Sequence, residues 1–118
     1  MFKVKVALEF SAAHFLRGYR GKCEELHGHN WKVEVAVVKK NLDKIGMVVD
    51  FQEVKSQLKV VLDKLDHRHL NEIAFFKKVN PTSEEIAKYI YENIKRKISG
   101  VESVTVWESD RCSATYFR

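Results

Sequence analysis

The stretch Phe2-Lys-Val-Lys-Val-Ala-Leu-Glu-Phe-Ser-Ala-Ala-His14 opens the chain with apolar side chains at every second position. Alternation of this kind predicts a β-strand with one buried face, and His14 falls on that face. A second run, residues 30–39, alternates in the same way through Trp31 and Val33. The two runs, separated by a loop that contains several glycines, predict a long hairpin.

Histidines cluster where the two predicted strands approach each other. The loop ends in Cys23-Glu-Glu-Leu-His27-Gly-His29, and His27 and His29 share the face of Trp31 because they are two residues apart. Two adjacent strands would therefore direct three imidazoles, with that of His14, at one point. A single histidine on an apolar face is more often a core residue, but three at matching positions favour a metal. Three nitrogens with an open fourth position are typical of catalytic zinc. The sequence places no carboxylate beside them, which favours zinc over iron.

The rest of the chain predicts two helices and a second hairpin. Helical spacing follows Asp50, in Phe51, Val54, Leu58, Leu62 and Leu65, and a second helix follows Pro81 with Thr82 as its N-cap and an isoleucine stripe. Residues 101–109 and 113–118 read as strands. We therefore expect one α+β domain, residues 1–118, with two helices on one face of a four-stranded antiparallel sheet. Its edge strands favour association with further subunits.

Composition narrows the function classes only slightly. The 118 residues carry 21 basic and 16 acidic side chains, a net charge of +5 that suits an anionic small molecule as well as nucleic acid. No apolar run approaches the length of a membrane span, and no signal-peptide pattern opens the chain, so we expect a cytoplasmic protein. Cys23 and Cys112 are then expected as reduced thiols. Cys112, at the start of the last strand, has no assignable role beyond structure.

Two further groups outside the histidine cluster could carry chemistry. Cys23 lies in a cationic loop with Arg17, Arg20 and Lys22, where a lowered thiol pKa would favour the thiolate. The alternatives are a small loop residue or a fourth zinc ligand. Asp66 precedes His67 in a segment expected to close the first helix, and a carboxylate there would fix the tautomer of a histidine base. The alternative is a helix C-terminus that carries favourable cations.

Two places in the second half of the chain carry side chains that could accept hydrogen bonds from a ligand. Glu108 shares the face of Val104 and Val106, where a carboxylate needs a strong partner such as the paired N–H donors of a pterin or guanine. The alternative is a strand-end carboxylate turned to solvent. Thr82, Ser83 and Glu84 are first of all helix-capping residues, a function that does not exclude ligand contact.

Together these residues resemble the 6-pyruvoyl-tetrahydropterin synthase family over essentially the full length. The matching stretches are Phe10-Ser-Ala-Ala-His14, Cys23-x-x-x-His27-Gly-His29-Asn30, Val49-Asp50-Phe51, Leu65-Asp66-His67-x-x-Leu70-Asn71, Pro81-Thr82-Ser83-Glu84 and Trp107-Glu108-Ser109. The resemblance implies the tunnelling fold, in which ββααββ subunits join their sheets into a trimeric barrel. It also implies that two trimers stack as a homohexamer, with the active sites between subunits.

Residue roles follow from the resemblance position by position. It implies that His14, His27 and His29 bind zinc, and that Cys23, Asp66 and His67 form a proton-transfer set. Glu108 would anchor the pterin ring with help from Thr82 and Ser83. Glu84 would assist there too, although its neighbour Glu85 could substitute for it.

The spacing of three residues between Cys23 and His27 resembles the 6-carboxy-tetrahydropterin synthase branch, which serves queuosine and other deazapurines. The implied substrate is 7,8-dihydroneopterin triphosphate, which loses triphosphate and acetaldehyde. Arg17, Arg20, Lys22 and Arg68 are candidates for holding the triphosphate.

Two alternatives stay open on the sequence. The first is a 6-pyruvoyl-tetrahydropterin synthase or another pterin side-chain lyase on the same fold. The second is a zinc-stabilised RNA-binding module, which needs exposed aromatic rings beside basic residues. Phe10, Trp31 and Phe51 lie instead on predicted buried faces, and only the segment Phe75-Phe76-Lys77-Lys78 fits such a module. We therefore expect a small-molecule substrate and no nucleic-acid or membrane partner.

Overall fold

In the computed structural model, which describes residues 1–21 and 25–118, helices pack on a mixed sheet. The strands are β1 (Phe2–His14), β2 (His27–Lys39), β3 (Arg68–His69), β4 (Val101–Trp107) and β5 (Ser113–Phe117). The helices are α1 (Phe51–Leu62), the short α2 (Ala74–Lys78) and α3 (Ser83–Ile94), and a 3-10 turn covers Leu70–Glu72. The predicted α+β class is confirmed.

The predicted first hairpin dominates the sheet, whose strand order is β3-β1-β2-β4-β5. β1 and β2 pair antiparallel over their whole length, from Phe2 opposite Lys39 to His14 opposite His27. β2 therefore begins at His27 rather than at residue 30, so the histidine pair belongs to the strand itself. The second hairpin is confirmed with slightly shorter strands than predicted.

The prediction of four strands and two helices was incomplete, because the segment after α1 forms β3 and α2. α1 ends at Leu62, and residues 66–71 do not close it as expected. Asp66 Oδ1 instead accepts a hydrogen bond from the Ser11 N–H, and the His67 N–H donates to the Ser11 carbonyl. β3 then continues parallel to β1. The free backbone groups at the edge of β1 are satisfied in this way, which the helical spacing of α1 could not reveal.

The core lies between the sheet and the two longer helices. α1 buries Val54, Leu58, Val61 and Leu62, and the stripe of α3 is confirmed at Ile86, Ile90 and Ile94, with Ile98 in the turn that follows. Phe51 was predicted to be buried but is 51% exposed, because the buried stripe of α1 begins one turn later, at Val54. Within the described ranges, no helix is both long enough and apolar enough to cross a membrane.

One glycine fixes the path from α3 into β4. Gly100 has φ +86°, and a Cβ there would lie 2.8 Å from the Val38 carbonyl oxygen. The Val38 N–H donates to the Gly100 carbonyl at 2.9 Å. Only glycine combines this backbone angle with so close an approach. The contact places β4 beside β2, and thereby sets where Glu108, just beyond β4, comes to lie.

Candidate metal centre and active site

The three histidines predicted as metal ligands converge at the open end of the first hairpin. His14 ends β1 opposite His27, which begins β2, and His29 lies opposite Ala12 on the same face. The centroids of the three rings are 4.6 to 5.2 Å apart. The predicted convergence is confirmed, and it results directly from the register of the hairpin.

Backbone carbonyls fix the tautomers of two of these histidines. His14 Nδ1 lies 2.7 Å from the Pro81 carbonyl oxygen, and His27 Nδ1 lies 2.7 Å from that of Glu25. A carbonyl only accepts hydrogen bonds, so each Nδ1 carries the proton and each Nε2 keeps its lone pair. A ring held by such a carbonyl bond is the usual environment of a metal-bound histidine.

Burial favours the neutral, metal-binding form of two of the imidazoles, those of His14 and His29. His14 is 2% exposed. The Nε2 atoms of His14 and His29 are buried and have no hydrogen-bond partner among the residues the structure describes. Desolvation lowers the pKa of both rings below the ordinary value, although the nearby Glu108 carboxylate partly opposes this at His29. Orphaned, neutral nitrogens that converge on one point fit a divalent metal ion.

Glu108 joins this group, which overturns one sequence argument. Its carboxylate and the ligand nitrogens of His14, His27 and His29 all lie within 4.8 Å of one another. Glu108 Oε1 is 3.3 Å from His29 Nε2. The expectation that no carboxylate lies beside the histidines was therefore wrong, and it no longer favours zinc over iron. The pairing of β4 with β2, with Trp107 opposite Lys32, creates this proximity, and a single sequence does not reveal that register.

Trp31 packs against the histidine cluster, a contact that was not predicted from the sequence. Its ring centroid lies 4.8 Å from that of His14 and 5.0 Å from that of His29, and the residue is fully buried. The indole N–H donates to the Ala12 carbonyl at 3.2 Å. The signal was present in the sequence, because Trp31 continues the face of His27 and His29. The indole limits the freedom of the two imidazoles that it contacts.

The N-terminus of α3 also lies beside the metal group. Thr82 caps the helix, with its Oγ1 accepting from the Glu85 N–H at 3.1 Å, as predicted. The Ser83 hydroxyl donates to Glu108 Oε2 at 3.3 Å. Glu84 is exposed in the first turn, and its predicted ligand contact stays a prediction. The fold thus brings Ser83 to the metal group, while the preceding Pro81 holds His14.

The predicted Asp66–His67 pair forms, but not within the metal group. Asp66 Oδ1 lies 3.1 Å from His67 Nδ1, and the Ser11 N–H is the main cause of a lowered Asp66 pKa. His67 has φ +57°, a backbone conformation that is costly for a side chain other than glycine. Its imidazole lines an open groove with Ser11, Asn30 and Arg68. Cys23, the third member of the predicted set, lies outside the described residues.

Two asparagines, also missed from the sequence, hold the segment that follows His14. Asn71 accepts from the Phe15 N–H and donates to the Phe15 carbonyl, both at 3.0 Å. Asn80 makes the same pair of bonds to Arg17, each at 2.9 Å. The Arg17 guanidinium donates to the Phe76 carbonyl at 2.7 Å, so this candidate for triphosphate binding is engaged with the backbone.

The chain is similar to known proteins over nearly its full length. The sequence profile described as 6-pyruvoyl tetrahydropterin synthase matches residues 3–118. The chain belongs to this family. A solved structure of the family, the 6-pyruvoyl tetrahydropterin synthase of Caenorhabditis elegans, superposes with a TM-score of 0.91 at 32% identity, covering 99% of this chain and 95% of that one. The fold of this synthase-family chain is therefore the predicted tunnelling fold.

Curated relatives point to the enzyme class. The chain is 32% identical to a Haemophilus influenzae protein and 36% identical to a Synechocystis protein, both named 6-carboxy-5,6,7,8-tetrahydropterin synthase. The alignments cover 98% and 99% of this chain, and 99% and 94% of the relatives. It is also 38% identical, over 86% of its length and 84% of the relative, to a Pyrococcus furiosus protein named dihydroneopterin monophosphate aldolase. The family and these names support an enzyme of the tetrahydropterin synthase type that acts on a pterin side chain.

Proposed function

We propose that the protein is a zinc-dependent 6-carboxy-5,6,7,8-tetrahydropterin synthase that converts 7,8-dihydroneopterin triphosphate and one water to 6-carboxy-5,6,7,8-tetrahydropterin, with loss of triphosphate and acetaldehyde. The convergence of the ligand nitrogens of His14, His27 and His29 carries the proposal, and the buried Nε2 atoms of His14 and His29 have no hydrogen-bond partner among the described residues. It is supported by the names of relatives that the chain matches over nearly its full length. The spacing of Cys23 and His27 favours the carboxy branch.

Zinc would be held by the three imidazoles and, when bound, supplies Lewis-acid chemistry to the side-chain oxygens of the substrate. The residues of this chain orient the pterin. The Glu108 carboxylate matches the N3–H and 2-amino donors of a pterin ring in bidentate fashion. Because Glu108 lies beside His29, a pterin ring bound to it would lie next to the metal group. The Ser83 hydroxyl donates a hydrogen bond to Glu108 Oε2. Thr82 and Glu84 are proposed as secondary contacts.

Proton transfer is assigned to Cys23, Asp66 and His67, with contributions from two subunits. Asp66 lies at the edge of β1, and the groove beside His67 is lined by Ser11 and Asn30, on the sheet face opposite to the histidines, as well as by His29. Since Asp66 and His67 lie outside the metal group that the described residues of their own chain form, we propose that the pair serves the metal group of a neighbouring subunit within a homohexamer. Arg68, beside His67 in the groove, is the favoured candidate for binding the triphosphate.

A second candidate activity is an aldolase that cleaves the side chain of dihydroneopterin monophosphate. The similarity to the Pyrococcus furiosus protein of that name favours it. Both activities break a carbon–carbon bond of a pterin side chain. Both also fit a site in which the Glu108 carboxylate binds the pterin ring beside a metal. The RNA-binding alternative loses its support, because Phe76, in the segment that suited it, is fully buried. Service to a deazapurine pathway in the cytoplasm remains part of the proposal.

The test is product identification after anaerobic incubation of zinc-loaded protein with each substrate. Carboxy-tetrahydropterin and acetaldehyde from the triphosphate would support the synthase. A pyruvoyl product would keep the family chemistry and reject the carboxy branch. Cleavage restricted to the monophosphate would establish the aldolase instead. If zinc-loaded protein leaves both compounds unchanged, the proposed substrates are wrong.

A further inference from the structure

Glu108 is held towards the histidines by two separate contacts. Oε1 lies 3.3 Å from His29 Nε2, and Oε2 accepts from the Ser83 hydroxyl at 3.3 Å. Ser83 is the first residue of α3, so the carboxylate also lies at the positive end of a 12-residue helix. These contacts fix one oxygen on the metal side and leave the other beside the helix.

One separation among the four ligand atoms already equals the edge of a closed tetrahedral site. Zinc binds histidine nitrogen and carboxylate oxygen at about 2.0–2.2 Å, so neighbouring ligand atoms of a tetrahedron lie roughly 3.4 Å apart. The separation of 3.3 Å between Glu108 Oε1 and His29 Nε2 agrees with that distance. All four ligand atoms lie within 4.8 Å of one another before any ion is considered, so a small movement of the side chains would close the shell.

Resting on the proposed function, we propose that Glu108 is the fourth metal ligand in the substrate-free protein and that the pterin ring displaces it. A bidentate bond to the N3–H and 2-amino groups engages both carboxylate oxygens. The same carboxylate cannot keep a metal bond and this pair of bonds at full strength. Pterin binding therefore removes Glu108 from the shell and opens the fourth position only when substrate is present.

The side-chain exposures agree with this exchange. His29 is 22% exposed and Glu108 is 35% exposed, whereas His14 is 2% exposed. The buried imidazole is a permanent ligand, and the carboxylate is the member of the group that an entering ring reaches first. The exchange would protect the metal from unrelated anions between turnovers.

The experiment compares Glu108→Gln with Glu102→Gln. Glu102 is a matched control on β4, because its carboxylate lies 2.7 Å from Lys3 Nζ and does not belong to the metal group. Zinc affinity is measured by competition with a chelator, without any substrate. We expect Glu108→Gln to bind zinc more weakly than wild type by at least the about 10- to 100-fold that the loss of an outer-shell partner costs, and Glu102→Gln to match wild type. Glu108→Asp, with a shortened side chain, should also bind zinc weakly, and circular dichroism verifies that each variant is folded.

Access to the fourth position is measured by titrating the cobalt-loaded proteins with azide and recording the visible spectrum. Wild type should respond to azide only at higher concentration than Glu108→Gln. Addition of pterin without a side chain at position 6 should make wild type respond as the variant does. Equal zinc affinities and equal azide responses for the two glutamine variants would overturn the assignment. Pterin that binds without opening the site would overturn the displacement.

These outcomes separate the assignment from the function on which it rests. Wild type that binds no zinc would overturn both the proposed metal and the role of Glu108. Zinc binding with no affinity for pterin would reject the pterin chemistry and the displacement together. In contrast, normal zinc and pterin binding with no effect of Glu108→Gln would reject only the fourth ligand.

Discussion

His14 shows at the scale of a single residue how the chain prepares a metal ligand. The ring is 2% exposed, its Nδ1 is bonded to the Pro81 carbonyl, and its Nε2 has no hydrogen-bond partner in the described part of the chain. A buried polar atom without a partner is destabilising, by about 1–3 kcal/mol. A bound ion would satisfy that atom, so zinc is expected to stabilise the protein as well as to serve catalysis.

Replacement of His14 by alanine should therefore abolish the stabilisation by zinc. We expect zinc affinity to fall by roughly 100-fold or more, because one of three nitrogen ligands is lost. Zinc should raise the melting temperature of wild type and leave that of His14→Ala unchanged. His69→Ala is the control, since His69 is paired with Glu72 and does not belong to the metal group. If His14→Ala and His69→Ala respond equally to zinc, the ligand set is wrong.

Asp66 should make the free energy of unfolding depend on pH in the acid range. Its pKa is lowered from 3.8, chiefly by the Ser11 N–H and then by His67. The native state therefore binds fewer protons than the unfolded state near this pH. The stabilisation is fully present above the unfolded pKa and is lost as the pH falls through the folded pKa. Asp66→Asn, which keeps an acceptor oxygen, should be less stable than wild type at pH 7, and the difference should shrink below pH 3.8.

Urea unfolding of the metal-free proteins as a function of pH measures this difference. The control is Asp63→Asn, because Asp63 makes an exposed pair with Lys59 whose contribution is expected to be at most about 0.5 kcal/mol. A gap between wild type and Asp66→Asn that stayed constant, or widened, in acid would show that the Asp66 charge does not stabilise the fold.

At the scale of the elements, two side chains continue the sheet where the strands stop. Asn71 bonds to both backbone groups of Phe15, and Asn80 does the same for Arg17. Their side-chain amides pair with the backbone of Phe15 and Arg17 as a neighbouring strand would. Because Asn80 precedes Pro81, one short segment holds both Arg17 and the His14 ring.

Asn71→Ala should lower the free energy of unfolding by about 1–3 kcal/mol, since it leaves the Phe15 N–H and carbonyl without their partners. The metal-binding end of β1 should loosen as well, so we expect weaker zinc binding even at temperatures where the variant is fully folded. Asn93→Ala is the matched control, because among residues 1–21 and 25–118 the Asn93 side chain bonds only within α3, to the Tyr89 carbonyl. Thermal denaturation and zinc titration measure the two effects. Unaltered zinc affinity would confine Asn71 to a structural role.

The elements also show what the sequence could predict. Period-two alternation predicted β1 and β2, and with them the convergence of the histidines, because a hairpin of equal strands leaves little freedom of register. The contact of Glu108 with His29 was not predictable, since it depends on how β4 pairs with β2 after a long connection. β3 and the two asparagine contacts were missed for a related reason. They rest on side-chain bonds between distant segments, which produce no local pattern.

For the whole molecule, we expect active sites that are complete only between subunits. If Cys23 and His67 act in the same site from different chains, two inactive variants should complement each other. Equimolar Cys23→Ala and His67→Ala, mixed, unfolded and refolded together, should recover roughly a quarter of the wild-type activity, because a quarter of randomly formed sites have both residues intact. Each variant refolded alone is the control. A mixture as inactive as its components would place both residues in one chain.

We propose that this chain cleaves a pterin side chain with zinc held by His14, His27 and His29. The most direct test is acetaldehyde release from 7,8-dihydroneopterin triphosphate by protein stripped of metal and then reloaded. We expect no release from the stripped protein and full recovery at one zinc per chain. Full release by the stripped protein, or none from a protein shown to hold zinc, would mean that zinc at these histidines does not carry the reaction.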